Sequence, residues 1–159
     1  MTVKLWRIAK NTAQYQANDM SGGGAKAVGG RWNSKGNSVI YASPTIALAT
    51  LETLAHIGDE IAARNRFLIR IEVPDDIWKA RETLDVARLD PTWLAEPPGM
   101  ATISLGDAWI KGNTAALLEV PSVIIHEESN VLINPAHPDV ARIKASLVRQ
   151  FVYDPRLQA

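Results

Sequence analysis

One segment of this chain, residues 29–52, reads GGRWNSKGNSVIYASPTIALATLE. Its paired glycines free the backbone for a tight or left-handed turn, and Arg31 follows them directly as a long cation. Residues 39–41 are good strand formers, and Tyr41 is the last of them. The segment therefore predicts a turn that presents a cation, followed by a short strand.

A helix is predicted directly after that strand. Ser43 followed by Pro44 is typical of a helix N-cap with proline at the first helical position. Apolar residues then recur at helical spacing, and we expect the helix to end near Gly58. Glu52 falls at the edge of the apolar face, and His56 follows one turn later on the same side.

An arginine, a tyrosine and a half-buried glutamate in one short segment form a candidate site. The alternative is structural: Arg31 and Glu52 pair as ions, and Tyr41 is an ordinary strand aromatic. Structural ion pairs perturb charged groups much as active sites do. The residues alone therefore leave both interpretations open.

The bulk composition excludes several classes of protein. A length of 159 residues predicts a single domain, residues 1–159, with a substantial core. Seventeen basic and seventeen acidic residues cancel, so no overall field attracts nucleic acid. The absence of cysteine excludes disulfides, thiol nucleophiles and cysteine-bound zinc. The sequence has no apolar signal segment and no membrane-length run, which predicts a cytoplasmic protein that does not bind a membrane.

The remaining elements do not alternate regularly between strand and helix. The clearest strand covers residues 66–73, where apolar and polar positions alternate. Residues 11–28 predict a long loop or a short helix, and a short helix or turn is expected around Trp93. Other predicted strands are residues 3–8, 82–86, 117–120, 123–125, 131–135 and 146–153, and other predicted helices are residues 106–111 and 138–144. This irregular order favours an α+β fold over a doubly wound sheet.

Several common kinds of site find little support in the sequence. The three histidines have neither an HExxH motif nor a pair one turn apart, so no metal site is predicted. Ser122 lacks the GxSxG pattern of a nucleophilic serine. Trp32, next to Arg31, is either a core residue or a platform for a ligand.

The order of several short motifs resembles the RES-domain family, the toxins of RES–Xre toxin–antitoxin pairs, over nearly the full length. The family is named for an arginine, a glutamate and a serine, and Arg31, Glu52 and Ser122 match these in order and context. The motifs that carry the resemblance are Leu5-Trp6-Arg7, Gly29-Gly30-Arg31-Trp32-Asn33, Ile40-Tyr41-Ala42-Ser43, Leu51-Glu52, Gly106-Asp107-Ala108-Trp109, Val120-Pro121-Ser122 and residues 130–138.

The resemblance implies an ADP-ribosyltransferase-like fold, a split β-sheet core with peripheral helices and a cleft for NAD. It implies a toxin that degrades NAD by cleaving the nicotinamide–ribose bond, through hydrolysis or phosphorolysis, and so arrests growth. The alternative activity is ADP-ribosylation of a protein target. NAD is then a substrate, with no prosthetic group. The implied partner is an Xre-type helix-turn-helix antitoxin that blocks the cleft and carries the DNA binding, so this chain binds no nucleic acid itself.

The same resemblance implies roles for individual residues. Glu52 is the expected catalytic carboxylate, and Arg31 offers a planar fork for the pyrophosphate. Tyr41 stacks on the nicotinamide ring in this scheme, and Ser122 holds either Glu52 or a ribose hydroxyl. Asn134 helps to orient the substrate. Trp32 is expected against NAD as well, whereas His56 is left as a supporting or structural residue.

The acceptor of ADP-ribose is expected to be small. Many protein-modifying transferases of this fold place a second acid two residues before the catalytic glutamate. Thr50 occupies that position here and cannot act as a base at neutral pH. We therefore expect water or phosphate as the acceptor.

Overall fold

The computed structural model describes residues 1–57 and 64–157, which form two β-sheets surrounded by short helices. The strands are β1 (Thr2–Ala9), β2 (Ile40–Ala42), β3 (Phe67–Pro74), β4 (Glu82–Thr83), β5 (Leu117–Pro121), β6 (Ser129–Ile133) and β7 (Lys144–Gln150). The α-helices are α1 (Gly23–Val28), α2 (Ile46–Leu54), α3 (Asp75–Lys79) and α4 (Met100–Gly112). Short 3₁₀ helices cover Val86–Arg88, Pro91–Leu94, Pro138–Arg142 and Pro155–Leu157.

The two sheets are joined by one isolated backbone pairing between β1 and the residue that follows β2. The first has the strand order β1-β3-β7 and is antiparallel throughout. The second has the order β2-β6-β5-β4, and only its β4–β5 pair is parallel. Trp6 of β1 pairs with Ser43 just after β2, through backbone N–H···O bonds of 2.7 and 2.8 Å. The predicted α+β fold with a split sheet is confirmed.

Alternation along the strands of the second sheet builds a core on both of its faces. Leu117 of β5 and Ile133 of β6 belong to the cluster between the sheets. Their neighbours Leu118 and Leu132 point to the other face, where they meet a cluster that contains the buried Trp32. Each of these leucines and isoleucines is at most 2% exposed. The second sheet is therefore a central layer, and its strand ends are held rigidly.

The helix after β2 begins two residues later than predicted from the sequence. Thr45 is its N-cap, and Thr45 Oγ1 accepts a hydrogen bond from the Leu48 backbone N–H at 3.1 Å. Ser43 is not the cap, because its pairing with Trp6 keeps its backbone extended. The helix ends at Leu54, and the predicted end near Gly58 lies outside the described residues.

The strand predicted over residues 123–125 is wrong. Ser122 Oγ accepts hydrogen bonds from the backbone N–H groups of Ile124 and Ile125, each at 3.1 Å. The Glu128 N–H then donates to the Ile125 carbonyl oxygen at 3.0 Å. These bonds turn the chain between β5 and β6, so the apolar run cannot extend as a strand.

Other bounds differ from the predictions in length. The helix predicted over residues 106–111 begins earlier, at Met100. The prediction missed the first turns because the β-branched Thr102 and Ile103 give a weak helical signal. It ends at Gly112, and Asn113 follows as the C-cap with a left-handed φ of 52°. The strand predicted over residues 82–86 shortens to β4, the helix over 138–144 is a 3₁₀ helix, and the strand over 146–153 is β7. Within the described residues, no helix is long and apolar enough to cross a membrane.

Candidate active site

Glu52 lies near the end of α2, half-buried, with its carboxylate held by two neutral donors. Ser122 Oγ donates to Glu52 Oε1 at 2.7 Å. Asn130 Nδ2 donates to the same oxygen, also at 2.7 Å. Among the described residues, both hydrogen bonds to this carboxylate end on Oε1. The group is therefore fixed in orientation while Oε2 is left for another partner.

A second layer of hydrogen bonds orients the two donors. Ser43 Oγ donates to Asn130 Oδ1 at 2.7 Å, which turns the amide N–H₂ of Asn130 towards Glu52. Ser122 Oγ already accepts from the backbone N–H groups of residues 124 and 125. Its own proton is therefore directed to the carboxylate. Each hydrogen-bond donor of this network therefore meets an acceptor on the neighbouring side chain.

Sheet topology brings these side chains together from distant parts of the chain. Ser43 follows β2, Asn130 lies at the start of β6, and Ser122 follows β5. The strand order β2-β6-β5 makes these three strands neighbours. The register pairs Asn130 with Val120 of β5, so all three polar residues meet at one end of the second sheet.

A cavity of about 600 Å³ lies in front of this carboxylate, within the range usual for small-molecule sites. Its wall combines apolar surface with a few polar side chains. These include Arg7, Arg31, Tyr41, Glu52, His56 and Asn130.

Arg31 reaches the cavity from the turn after the paired glycines, but its guanidinium is already occupied. Arg31 Nη1 donates to the carbonyl oxygens of Trp93 and Ala95, at 2.9 and 2.8 Å. Arg31 Nη2 forms an ion pair of 2.8 Å with Glu96, whose side chain is 76% exposed against 12% for the arginine. The alternative of an Arg31–Glu52 ion pair is therefore wrong.

Tyr41 joins the turn to the sheet through its hydroxyl group. Tyr41 Oη donates to Asn33 Oδ1 at 2.6 Å and accepts from the Trp32 backbone N–H at 3.1 Å. Burial raises the pKa of the Tyr41 phenol well above its ordinary value, against the opposing effect of the Trp32 hydrogen bond. Gly30 is needed for this contact, since a Cβ there would lie only 2.7 Å from Tyr41 Oη.

Comparison with known protein families identifies the chain. The model of the RES domain matches residues 4–155. The chain belongs to the RES domain family. The resemblance inferred from the ordered motifs is thereby confirmed.

This RES domain is similar over almost its whole length to several proteins that carry toxin names. It is 48% identical to the "Prs ADP-ribosylating toxin" of Sphingobium sp. (strain YBL2), over 99% of this chain and 98% of that protein. It is 35% identical to "Toxin Res" of Yersinia enterocolitica, over 97% of this chain and 99% of that protein. It is 37% identical to "Toxin Res" of Pseudomonas putida, over 96% of this chain and 98% of that protein.

The RES domain brings together most of the residues that the sequence singled out, and separates one. Glu52, Arg31, Trp32 and Tyr41 line the cavity, and Ser122 contacts Glu52 from a fully buried position behind the wall. Asn134 does not line it. The Asn134 side chain is fully buried and donates to the Ile110 carbonyl oxygen and Asn113 Oδ1, both at 3.0 Å. Its contacts secure the end of α4 instead.

His56 stands at the cavity rim, one turn beyond Glu52. Its ring nitrogen Nδ1 lies 2.8 Å from the Glu52 backbone oxygen, and the side chain is exposed. Within residues 1–57 and 64–157, no group of three or more acidic, histidine or cysteine side chains is arranged to hold a metal ion.

Sequence reasoning assigned no role to three polar residues of this site. Asn130 and Arg7 fell inside motifs that carried the family resemblance, yet nothing local marked either one. Glu96 lies far along the chain, in an irregular segment before Pro97. Only the fold shows that it meets Arg31.

Proposed function

We propose that this protein is an NAD-consuming toxin that cleaves the bond between nicotinamide and ribose and thereby arrests growth. The observation that carries the proposal is the Glu52 carboxylate, held on one oxygen by Ser122 and Asn130 in the wall of a ligand-sized cavity. Membership of the RES family and the toxin names of its relatives support the same interpretation.

The arrangement suits the chemistry of an N-glycosidic bond. Nicotinamide leaves as a neutral molecule, so the reaction needs no strong acid. The ribose acquires oxocarbenium character, and a carboxylate fixed beside it stabilises the developing positive charge. Glu52 meets this requirement, because its neutral donors orient it without cancelling its charge and leave Oε2 for the ribose.

Other cavity residues supply binding contacts in this proposal. The ring of Tyr41 stacks on nicotinamide, and Trp32 forms part of the wall. The Arg31 fork takes a phosphate of the pyrophosphate after exchange with Glu96. NAD enters as a substrate, and the proposed bond cleavage uses side chains only.

The site geometry favours a small acceptor for the ADP-ribose unit, either water or phosphate. The Thr50 hydroxyl donates to the Ile46 carbonyl oxygen of its own helix at 2.8 Å. It therefore offers no base to steer a protein side chain towards the ribose. Hydrolysis then gives ADP-ribose, and phosphorolysis gives a phosphorylated ADP-ribose.

A protein acceptor is the second candidate, and one observation favours it. The Sphingobium relative, 48% identical to this chain, carries a name that describes ADP-ribosylation of Prs. Both candidates share the first bond cleavage at Glu52. They differ only in what attacks the exposed ribose face.

Nicotinamide release from NAD by the purified protein tests the common step. Glu52→Gln keeps the shape of the side chain but removes its charge, so turnover should fall by about 100-fold or more. Glu127→Gln is the matched control, because Glu127 is exposed and does not line the cavity. Equal rates for wild type and Glu52→Gln would refute the assignment.

Mass spectrometry of the products then identifies the acceptor. Free ADP-ribose indicates water, and a phosphorylated product that forms only in phosphate buffer indicates phosphorolysis. ADP-ribose attached to a defined protein after addition of cell lysate would replace the small-acceptor proposal with the second candidate.

The proposed partner is an Xre-type helix-turn-helix antitoxin that covers the cavity. Its support is the family membership together with the toxin names of the relatives. A protein that consumes a central cofactor needs such an inhibitor in its own cell.

A further inference from the structure

Part of the cavity wall is formed by an irregular segment, residues 95–99, that joins the 3₁₀ helix Pro91–Leu94 to helix α4. Glu96 and Pro98 of this segment line the cavity. Trp93 of the preceding 3₁₀ helix is buried and anchors the start of the segment. The segment therefore places a carboxylate in the cavity wall, and the proposed bond cleavage does not use that carboxylate.

Among the described residues, Arg31 is the one partner of the Glu96 side chain. Glu96 Oε2 lies 2.8 Å from Arg31 Nη2. The Glu96 side chain is 76% exposed, whereas the Arg31 side chain is 12% exposed. An ion pair with one such exposed member contributes little to stability. The Glu96 carboxylate can therefore turn into water when Arg31 gains another acceptor.

The position of Arg31 does not depend on Glu96. Arg31 Nη1 donates to the backbone carbonyl oxygens of Trp93 and Ala95, at 2.9 and 2.8 Å. Both bonds persist if only the Glu96 side chain moves. Displacement of the carboxylate thus frees Nη2 while the guanidinium keeps its orientation, and no backbone movement is required.

A carboxylate and a phosphate group use the same donors of an arginine. Both present anionic oxygens at hydrogen-bonding distance from the planar fork. A phosphate oxygen that binds Arg31 Nη2 meets the Glu96 oxygen at the same donor, and the two negative charges repel each other. A phosphate-bearing ligand must therefore displace Glu96 before it forms its own contact.

We propose that Glu96 is an internal competitor at Arg31 and that it sets the affinity of the cavity for phosphate-bearing ligands. The inference rests on the proposed function for the identity of the ligand, a dinucleotide whose pyrophosphate reaches Arg31. Because NAD and ADP-ribose carry the same pyrophosphate, the competitor weakens substrate and product binding by a similar factor. Release of the product is thereby favoured, and the bond cleavage at Glu52 is left unchanged.

Glu96→Gln tests the proposal because it removes the charge and keeps the shape of the side chain. In calorimetry, the variant should bind ADP-ribose and inorganic pyrophosphate about three- to tenfold more tightly than the wild type. Nicotinamide riboside, which has no phosphate, should bind equally to both proteins. Glu127→Gln is the matched control, since Glu127 is exposed and outside the cavity.

Steady-state kinetics gives a second readout. In Glu96→Gln, the KM for NAD and the inhibition constant of ADP-ribose should fall by similar factors, and kcat should not rise. A structural role of the ion pair would instead lower the melting temperature and leave ligand affinity unchanged or weaker. Unchanged or weaker binding of ADP-ribose and pyrophosphate by Glu96→Gln would overturn the proposal, as would failure of both proteins to bind either ligand.

A double variant separates competition at Arg31 from the general loss of a negative charge. Arg31→Met removes the contested donor, so adding Glu96→Gln to it should give no further gain in pyrophosphate affinity. A gain that persists without the Arg31 guanidinium would overturn the proposal.

Glu96→Asp covers the case in which Arg31→Met does not fold. Aspartate keeps the charge but is shorter by one methylene, so it loses the contact with Arg31 Nη2 while the backbone stays fixed by its carbonyl bonds. It should therefore bind pyrophosphate more tightly than the wild type, as Glu96→Gln does. A gain in Glu96→Gln with none in Glu96→Asp would assign the effect to the general field and overturn the proposal.

Nicotinamide release distinguishes this inference from the proposed function. If the wild type releases no nicotinamide but Glu96→Gln binds pyrophosphate more tightly through Arg31, the competitor stands and the reaction is wrong. If NAD is consumed as proposed but Glu96→Gln leaves KM and ADP-ribose affinity unchanged, the reaction stands and the competitor is wrong.

Discussion

At the scale of single residues, the Glu52 carboxylate is oriented by an amide and a hydroxyl rather than by a cation. An arginine or lysine in that place would hold the group equally well but would offset its charge. Asn130 and Ser122 donate without doing so. The negative charge thus remains available to a positively charged transition state, and the geometry does not depend on the ligand.

Asn130 is expected to act by positioning Glu52. Asn130→Ala removes one of its two donors, so kcat should fall by about 10- to 100-fold with little change in KM. Ser43→Ala, which removes only the bond that orients the amide, should give a smaller loss. Steady-state kinetics with melting temperatures checks both variants. A purely structural role would appear as a lower melting temperature with unchanged kcat.

Tyr41 should make stability depend on pH in the alkaline range. Its phenol has a raised pKa in the folded protein, whereas it ionises near pH 10 in an unfolded chain. Above pH 10 the unfolded state therefore loses a proton that the folded state keeps, and unfolding becomes more favourable. The loss is up to about 1.4 kcal/mol for each pH unit.

Tyr41→Phe isolates that contribution. At pH 7 the variant should be less stable by about 1–3 kcal/mol, because Asn33 and the Trp32 N–H lose a partner. This difference should shrink as the pH rises from 10 to 11. Denaturant unfolding at several pH values measures it, and a difference that stays constant up to pH 11 contradicts the expectation.

At the scale of elements, helix α4 is fixed by one close approach to the turn that carries Trp32. A Cβ on Gly106 would lie 1.6 Å from the Trp32 carbonyl oxygen. Backbone at that distance cannot yield as a flexible side chain can. The turn that presents Arg31 therefore depends on this glycine.

Gly106→Ala is expected to destabilise the fold by about 3 kcal/mol or more, since the helix must move away from Trp32. Gly112→Ala is the matched control in the same helix, because nothing lies within 4 Å of the added carbon. That control should be neutral or slightly stabilising. Thermal unfolding of both variants tests the pair, and similar melting temperatures would contradict the close approach.

The elements that the sequence predicted well are those whose pattern depends on neighbours along the chain. The alternation in β3 and the run that becomes β5 both formed strands near their predicted bounds. Residues 123–125 did not, because the backbone N–H groups of Ile124 and Ile125 donate to the Ser122 hydroxyl and turn the chain. The N-cap of α2 is Thr45 and not the predicted Ser43 for a comparable reason, because Ser43 pairs with the distant Trp6.

The site residues show the same pattern: those with a recognisable sequence motif were predicted, and contacts between distant parts of the chain were not. Glu52 and Ser122 were predicted through family motifs. They are in contact in the fold although 70 positions separate them in the sequence. Glu96 was not predicted, since an exposed glutamate has no local signal and its pairing with Arg31 spans 65 positions. Asn134 has the expected residue type, but it follows the end of β6 with its side chain bonded to Asn113 and away from the cavity.

At the scale of the whole molecule, seventeen basic and seventeen acidic residues cancel, so the chain has no net positive charge to attract DNA. We therefore expect DNA binding to reside in the antitoxin partner. In a gel-shift experiment, the purified chain should leave the promoter of its own operon unshifted, and addition of the antitoxin should produce a shift. A sequence-specific shift by this chain alone would contradict the expectation.

The hydrogen bonds of Glu52 reach forward along the chain to residues 122 and 130, which are synthesised 70 and 78 positions later. During translation, the carboxylate thus leaves the ribosome long before its two donors exist. A chain interrupted before Ser122 has neither donor, so truncated products should be harmless to the cell that makes them. We therefore expect toxicity only from chains that extend beyond Asn130, where both donors to Glu52 are present.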